Sequence, residues 1–192
     1  MKPSMKITAE EIKEILHLTP HPTEGGWFVR TYESHATIGQ RALDLRYPGP
    51  RLTGTAIDYL LEPGTFSEMH RLRSDEIFHF YLGDPVEMLQ LIPPHKELPD
   101  ELDPGASERI VIGSDLAAGQ RPQVLAPYDV WQGSRLVPGG SFALLGCTVS
   151  PGFEFEDYET GDRDTLIAQW PEHEALIRAL TRGKYEGLGA RG

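Results

Sequence analysis

The chain has 192 residues, a formal net charge of -11 and a single cysteine, Cys147. That length suits one domain with a sizeable core. The charge excludes a generic nucleic-acid binder, which needs a basic surface, and one thiol excludes an internal disulfide or a Cys-rich zinc site.

Residues 8–18, TAEEIKEILHL, read as a short amphipathic helix. Thr8 and Glu11 fit a capping box, Ile12, Ile15 and Leu16 form the apolar face, and Pro20 supplies the stop. The N-terminal stretch lacks the apolar core of a signal peptide, and no apolar run approaches the ~20 residues of a membrane span. A soluble, cytoplasmic protein without membrane partners is expected.

From residue 26 to 159 short β-rich runs alternate with Gly/Pro punctuation. The candidates are GWFVRTYES, GTAIDYLL, TFSEMHRL, EIFHFYL, VEMLQLI, RIVIG, PQVLA, VWQGSRLV, SFALLGCTVS and FEFEDYET. The last, with Phe and Tyr alternating against acids, reads as a strand with one solvated face. EPG, LGDP and VPGG carry turn chemistry. Residues 93–108, acidic and Pro-rich, read as an extended hairpin loop. In the final stretch Pro171 suits a first helical turn, Leu176, Ile177 and Leu180 form an apolar stripe, Gly183 suits the position past the helix end, and YEGLGARG reads as a frayed tail. The expectation is an all-β jelly roll or closed barrel in one domain. Residues 1–25 are helix and lead-in, 26–159 the roll, and 160–192 a helical segment and tail.

The chemistry concentrates in MHRLRSDEIFHFYLGD, residues 69–84. Strand parity places Phe66, Glu68 and Leu72 on the face of His70, and Phe78 and Phe80 on the face of Glu76. His79 then points the other way unless a bulge intervenes. A hairpin brings His70 and Glu76 together. Imidazole beside carboxylate suits a divalent metal (Zn, Fe, Mn or Ni) and equally suits acid–base work. Glu24, Arg30 and Tyr32 share one face of an early strand. His17, His21, His35, His95 and His173 lack ligand-like spacing and read as surface or cap residues, and Cys147 as a buried small apolar residue.

The spacing Gly64, five residues, His70, one, Leu72, three, Glu76, six, Gly83 resembles the first cupin motif, with Leu72 in place of the second His. Around RPQVLAPYDVWQGSRL only part of the second motif survives. Pro127 matches, while Arg121, Asp129, Gln132 and Leu136 replace a Gly, a Gly, the third metal His and the Asn. Glu24-Gly25-Gly26-Trp27, His70-Arg71, Asp75-Glu76 with His79, and Pro151-Gly152-Phe153 together resemble the small single-domain cupins with an RmlC-like jelly roll.

The resemblance implies a double-stranded β-helix, inward positions at His70, Leu72, Glu76 and Gln132, and a homodimer. It supplies no reaction. Two mechanisms stay open. His70, Glu76 and Gln132 could hold a metal, expected at substoichiometric occupancy since Gln is a weak ligand. Alternatively His70, tuned by Glu76, acts as a base with Tyr59 or Tyr32 as acid, in the manner of sugar-nucleotide epimerases of this fold. Arg30, Arg71, Arg73 and Arg135 favour a small anionic ligand. Leu72, Phe78, Phe80, Gln132, Arg30, Tyr59 and His79 are the candidate pocket residues. A non-catalytic binding or sensor protein fits the same pocket.

Overall fold

The computed structural model describes residues 7–94 and 103–183. Strands β1 (Thr19–Pro20), β2 (Trp27–Glu33), β3 (Thr37–Ile38), β4 (Arg51–Leu52), β5 (Thr55–Leu61), β6 (Phe66–Arg71), β7 (Asp75–Gly83), β8 (Val86–Leu91), β9 (Ser107–Ile112), β10 (Gln123–Ala126), β11 (Trp131–Leu136), β12 (Ala143–Ser150) and β13 (Glu159–Thr160) follow helix α1 (Ala9–Leu16). Helices α2 (Arg163–Gln169) and α3 (Glu174–Ala179) come last. A six-stranded sheet in the order β1-β2-β5-β12-β7-β10 faces a five-stranded sheet in the order β13-β6-β11-β8-β9, and β3 pairs with β4 beside them. The antiparallel jelly roll expected from the strand pattern is the fold.

Alternation along the strands sorts side chains into layers. Tyr59, Leu61, Phe78, Met88, Val124, Leu136, Leu145 and Cys147 meet between the sheets. On the outer side of the five-stranded sheet Met69, Leu89, Leu91 and Trp131 meet Leu166, Trp170, Leu176, Ile177 and Leu180 of the C-terminal helices. On the outer side of the six-stranded sheet Leu60 packs under Ile12 and Leu18. A strand covered on both faces loses its alternation, which is why VEMLQL is buried at every position but Glu87.

The α1 capping box forms as the sequence predicts. Two details differ. Ile15 is exposed rather than part of the buried face, and the helix stops at His17, which takes the left-handed conformation with φ 56°, ahead of Pro20. Pro171 opens a 3-10 turn, and Leu176, Ile177 and Leu180 are buried. The last helix is capped at Leu180, so Gly183 is not its C-terminal glycine. The ends of the 93–108 hairpin pair as β8 and β9, with Leu91 opposite Ser107; part of that loop and the YEGLGARG tail lie outside the described residues. No helix among the described residues is long and apolar enough to cross a membrane.

Two corrections bear on the site. FEFEDYET is not a strand: Phe155–Asp157 form a 3-10 turn, and only Glu159–Thr160 pair, as β13, with β6. In β6, Gln132 of β11 faces His70 while Ser134 faces Ser67, so three steps on one strand match two on the other. That bulge inverts the parity of the strand's first half. Phe66 packs with Met69 against the helices, and the carboxylate of Glu68 pairs with Arg182 at 2.6 Å. Neither shares the face of His70, as simple alternation predicts.

Candidate functional site

The bulge sets Ser67 and His70 on the inner side of β6, opposite Ser134 and Gln132. From the facing sheet β7 contributes Glu76, and β12 places Val149 opposite it and Cys147 opposite Phe78. Of these, His70, Glu76, Cys147 and Val149 floor a cleft of about 460 Å³, counted out to its open mouth. Its wall holds His21, Glu24, Phe28, Arg30, Leu72, Phe153, Phe155 and Tyr158 among others. Gln132, remote in sequence, meets His70 and Glu76 at this floor.

His70 is 1 % exposed. Its Nδ1 lies 2.6 Å from the Glu68 carbonyl oxygen, which can only accept, so Nδ1 carries a proton and Nε2 faces Glu76. The Nε2 to Glu76 Oε2 distance is 3.9 Å. Gln132 Nε2 donates to Glu76 Oε2 at 2.6 Å and sits 3.4 Å from His70 Nε2. The phenol of Tyr158 stacks on the imidazole, ring centres 4.7 Å apart and planes at 17°. Burial alone would strip the proton from His70. The charges of Glu24 and Glu76 and the Glu68 carbonyl outweigh that and push the pKa from 6.5 up to about 9. At neutral pH the ring is an imidazolium.

That shift has a sign for stability. The folded pKa lies above the unfolded one, so the contribution is complete below about pH 6.5 and is lost as pH rises through 9. Its size is at most about 3 kcal/mol. Urea titrations at pH 6, 8 and 10 should show wild type losing roughly 2 kcal/mol or more beyond the loss seen in His70→Gln. Parallel pH profiles for the two proteins contradict the assignment.

Other predicted residues fall elsewhere. Leu72 and Arg30 line the cleft, the latter with its guanidinium 2.6 Å from Glu33. Phe78 is buried and Phe80 half-buried in the layer between the sheets, away from the cleft wall. His79 is on the outer side of its sheet, 3.3 Å from the Thr148 hydroxyl and stacked with Tyr81; the bulge that could have turned it inward does not occur at that residue. Tyr59 is fully buried and donates to the Gly25 carbonyl oxygen at 2.8 Å, and Tyr32 is exposed. Neither is placed to serve as the acid. Arg71 pairs with Glu159 and Arg135 with Glu87. Arg71 and Arg73 open on a neighbouring polar, solvent-exposed cleft. Of the four arginines expected near an anionic ligand, only Arg30 lines the cleft of His70.

The sequence suggests His21 as a surface or cap residue, marks nothing at Tyr158, and sets Glu24 on a strand face with Arg30 and Tyr32, whereas the strand begins only at Trp27 and Glu24 precedes it. All three reach the cleft from loops, where no periodicity marks a side chain's direction. A signal was present in HPTEGG. Gly25 and Gly26 take φ 106° and 68°, and a Cβ at Gly26 would lie 2.8 Å from the Leu60 carbonyl oxygen. Only glycine allows this loop so close to the sheets. Cys147 lines the cleft, and burial, with Glu76 and Glu24 nearby, holds its thiol well above the usual range, so it stays protonated.

A metal needs lone pairs converging on one point. Leu72 offers none, and Gln132 turns an amide N–H donor toward Glu76, leaving its Oε1 buried without a partner. Turning that amide over would set an oxygen 2.6 Å from a carboxylate oxygen. Among the described residues no three His, Cys, Asp or Glu side chains group as a metal site. The donor set His70, Glu76 and Gln132 does not fit the Ni, Zn, Fe or Mn ion expected from the resemblance.

A family model described as Cupin superfamily (DUF985) matches residues 10–161. The chain is a member of the cupin superfamily. A protein of Shewanella oneidensis solved by X-ray crystallography is 32% identical to this cupin with a TM-score of 0.76, covering 93% of this chain and 100% of its own. A hypothetical protein from Leishmania major is 28% identical with a TM-score of 0.78, covering 92% and 100%. A dTDP sugar isomerase from Desulfovibrio desulfuricans G20 is a more distant match, 14% identical with a TM-score of 0.49, covering 72% and 86%. No curated protein matches the cupin.

Proposed function

We propose that the cleft binds a small molecule bearing a carbonyl or carboxylate oxygen and moves a proton on the carbon beside it, as isomerases and epimerases do. The observation that carries this reading is the pair His70 Nε2 and Glu76 Oε2, 3.9 Å apart at the floor of the cleft, with the ring's other nitrogen tied to the Glu68 carbonyl. A tied Nδ1 fixes the direction in which Nε2 delivers its proton.

The step balances within the cleft. The Glu76 carboxylate takes the proton from the carbon next to the carbonyl. As the C–H electron pair moves into the new C=C bond, His70 Nε2 gives its proton to the carbonyl oxygen, and an enol forms. Return of the proton from Glu76 to the former carbonyl carbon, with His70 taking a proton back from the adjacent enediol hydroxyl, yields the isomer. A solvent proton delivered to the opposite face, with His70 taking back the enol proton and Glu76 releasing its own to solvent, yields the epimer. The sequence suggests His70 as base, but an imidazole that starts protonated serves as acid, and the base role passes to Glu76. The unpartnered hydroxyl of Tyr158 is a further donor for the same oxygen.

Incubation in D2O with small hydroxyketones, aldoses and 2-keto acids, followed by proton NMR, tests the reading. Loss of the C–H signal beside the carbonyl in at least one compound, well above a protein-free control, is expected. Binding without any such exchange would make the protein a binding module instead.

A further inference from the structure

His21 is held differently from His70. In HPTEGG the His21 amide donates to the Gly26 carbonyl oxygen at 3.0 Å, and its ring turns back on its own loop. Nδ1 accepts from the Glu24 amide at 2.9 Å and the Thr23 amide at 3.4 Å. A proton on Nδ1 would point at two N–H groups, so the proton sits on Nε2 and the ring stays neutral. Burial lowers its pKa, in agreement. Edge contact with Phe28, centres 4.6 Å apart, fixes the ring plane.

Nε2 lies 3.9 Å from Glu24 Oε2, and the other Glu24 oxygen accepts from the Ser67 hydroxyl. The same separation recurs between His70 and Glu76, but there the Glu76 oxygen already accepts from the Gln132 amide. Among the described residues no hydrogen bond closes the gap between His21 and Glu24, and both side chains line the cleft.

We infer that His21 and Glu24 form a recognition point for a ligand hydroxyl, whose oxygen accepts from His21 Nε2–H while its own proton goes to Glu24 Oε2. One oxygen at about 2.8 Å from each atom spans such a gap comfortably. A ketone has no proton for the carboxylate, and a carboxylate ligand would be repelled by it. Phe28, Phe153 and Phe155 on the same wall offer apolar surface to C–H groups. Hydroxyls beside a C–H face, with a carbonyl oxygen at His70, describe a polyhydroxy carbonyl compound. This names the substrate class for the proton-transfer reading and rests on it for the carbonyl end.

The test measures dissociation constants of aldoses and ketoses, each paired with a counterpart lacking one hydroxyl, for wild type, Glu24→Gln and His21→Phe. Glu24→Gln is isosteric and exchanges an acceptor for a donor. At least one deoxy counterpart should bind wild type about tenfold more weakly, and the ratio should shrink to within about twofold in both variants. Should a variant fail to fold, 15N NMR of wild type decides: the His21 Nε2–H resonance should move with the hydroxylated probe and stay with the deoxy one. Binding of no probe, or discrimination surviving in the variants, or an unmoved His21 resonance, overturns the inference. Exchange in D2O on the same probes separates the two ideas. Exchange without hydroxyl discrimination sinks the His21–Glu24 assignment alone, and discrimination without exchange sinks proton transfer alone.

Discussion

His70→Asn is expected to lower the rate of solvent-deuterium exchange by about 10²- to 10⁴-fold, the usual contribution of a positioned acid or base. Asn is short enough to fit and can still donate to the Glu68 carbonyl oxygen, so the strand should keep its bulge. What it cannot do is deliver a proton toward a ligand oxygen beside Glu76. Glu76→Gln should cost a similar factor, because it removes the base while leaving a partner for Gln132. The two losses should not add in the double variant, since each residue needs the other for the same step. Rates in either single variant within about threefold of wild type would rule out the assigned roles.

Asp157→Ala should cost the fold about 3 to 5 kcal/mol, the range for breaking a buried ion pair from one side. Arg51 Nε and Nη2 each donate to the Asp157 carboxylate at 2.7 Å, and both side chains are 2% exposed. Without Asp157 the guanidinium keeps Glu156 at 2.8 Å, itself largely in solvent, and the Gly49 and Pro50 carbonyls. The charge is then buried with too little to balance it. Urea denaturation should show the loss as a lower midpoint at an unchanged slope. Replacing both partners with apolar residues, Arg51→Met with Asp157→Leu, should recover much of it. The ion pair also pins the segment that carries Tyr158 over His70, so the double variant should fold yet show a changed His70 environment by NMR. A loss below about 1 kcal/mol in Asp157→Ala would mean that this crossing is not held as described.

The jelly roll was legible because most strands alternate between a packed and a less packed side, and their turns carry Gly, Pro and Asp where the chain reverses. The failures are specific. FEFEDYET alternates aromatic and acidic residues as a half-solvated strand does, but its alternation has another cause. Phe153 and Phe155 meet edge to face at 5.1 Å, and Asp157 turns inward to Arg51. Phe66 and Glu68 were misplaced because one extra residue in β6 reverses parity. A bulge made of ordinary residues leaves no mark in the alternation itself. The site divides in the same way. His70, Glu76 and Gln132 lie on strands whose pairing sets their spacing, so the motif found them. His21, Glu24 and Tyr158 come from loops and a crossing segment, where position depends on contacts distant in the chain. The metal suggested by the motif depended on two missing imidazoles, and the Gln132 amide, bonded to Glu76, shows what took their place.

The proton transfer depends on an imidazolium at His70 between Glu76 and Glu24. Its most direct test is the 15N NMR titration of the His70 ring between pH 5 and 11. Both nitrogens should stay protonated through neutrality, with a midpoint at about 9 that falls in Glu24→Gln. A midpoint near the ordinary histidine value of 6.5, unchanged in that variant, would contradict the account.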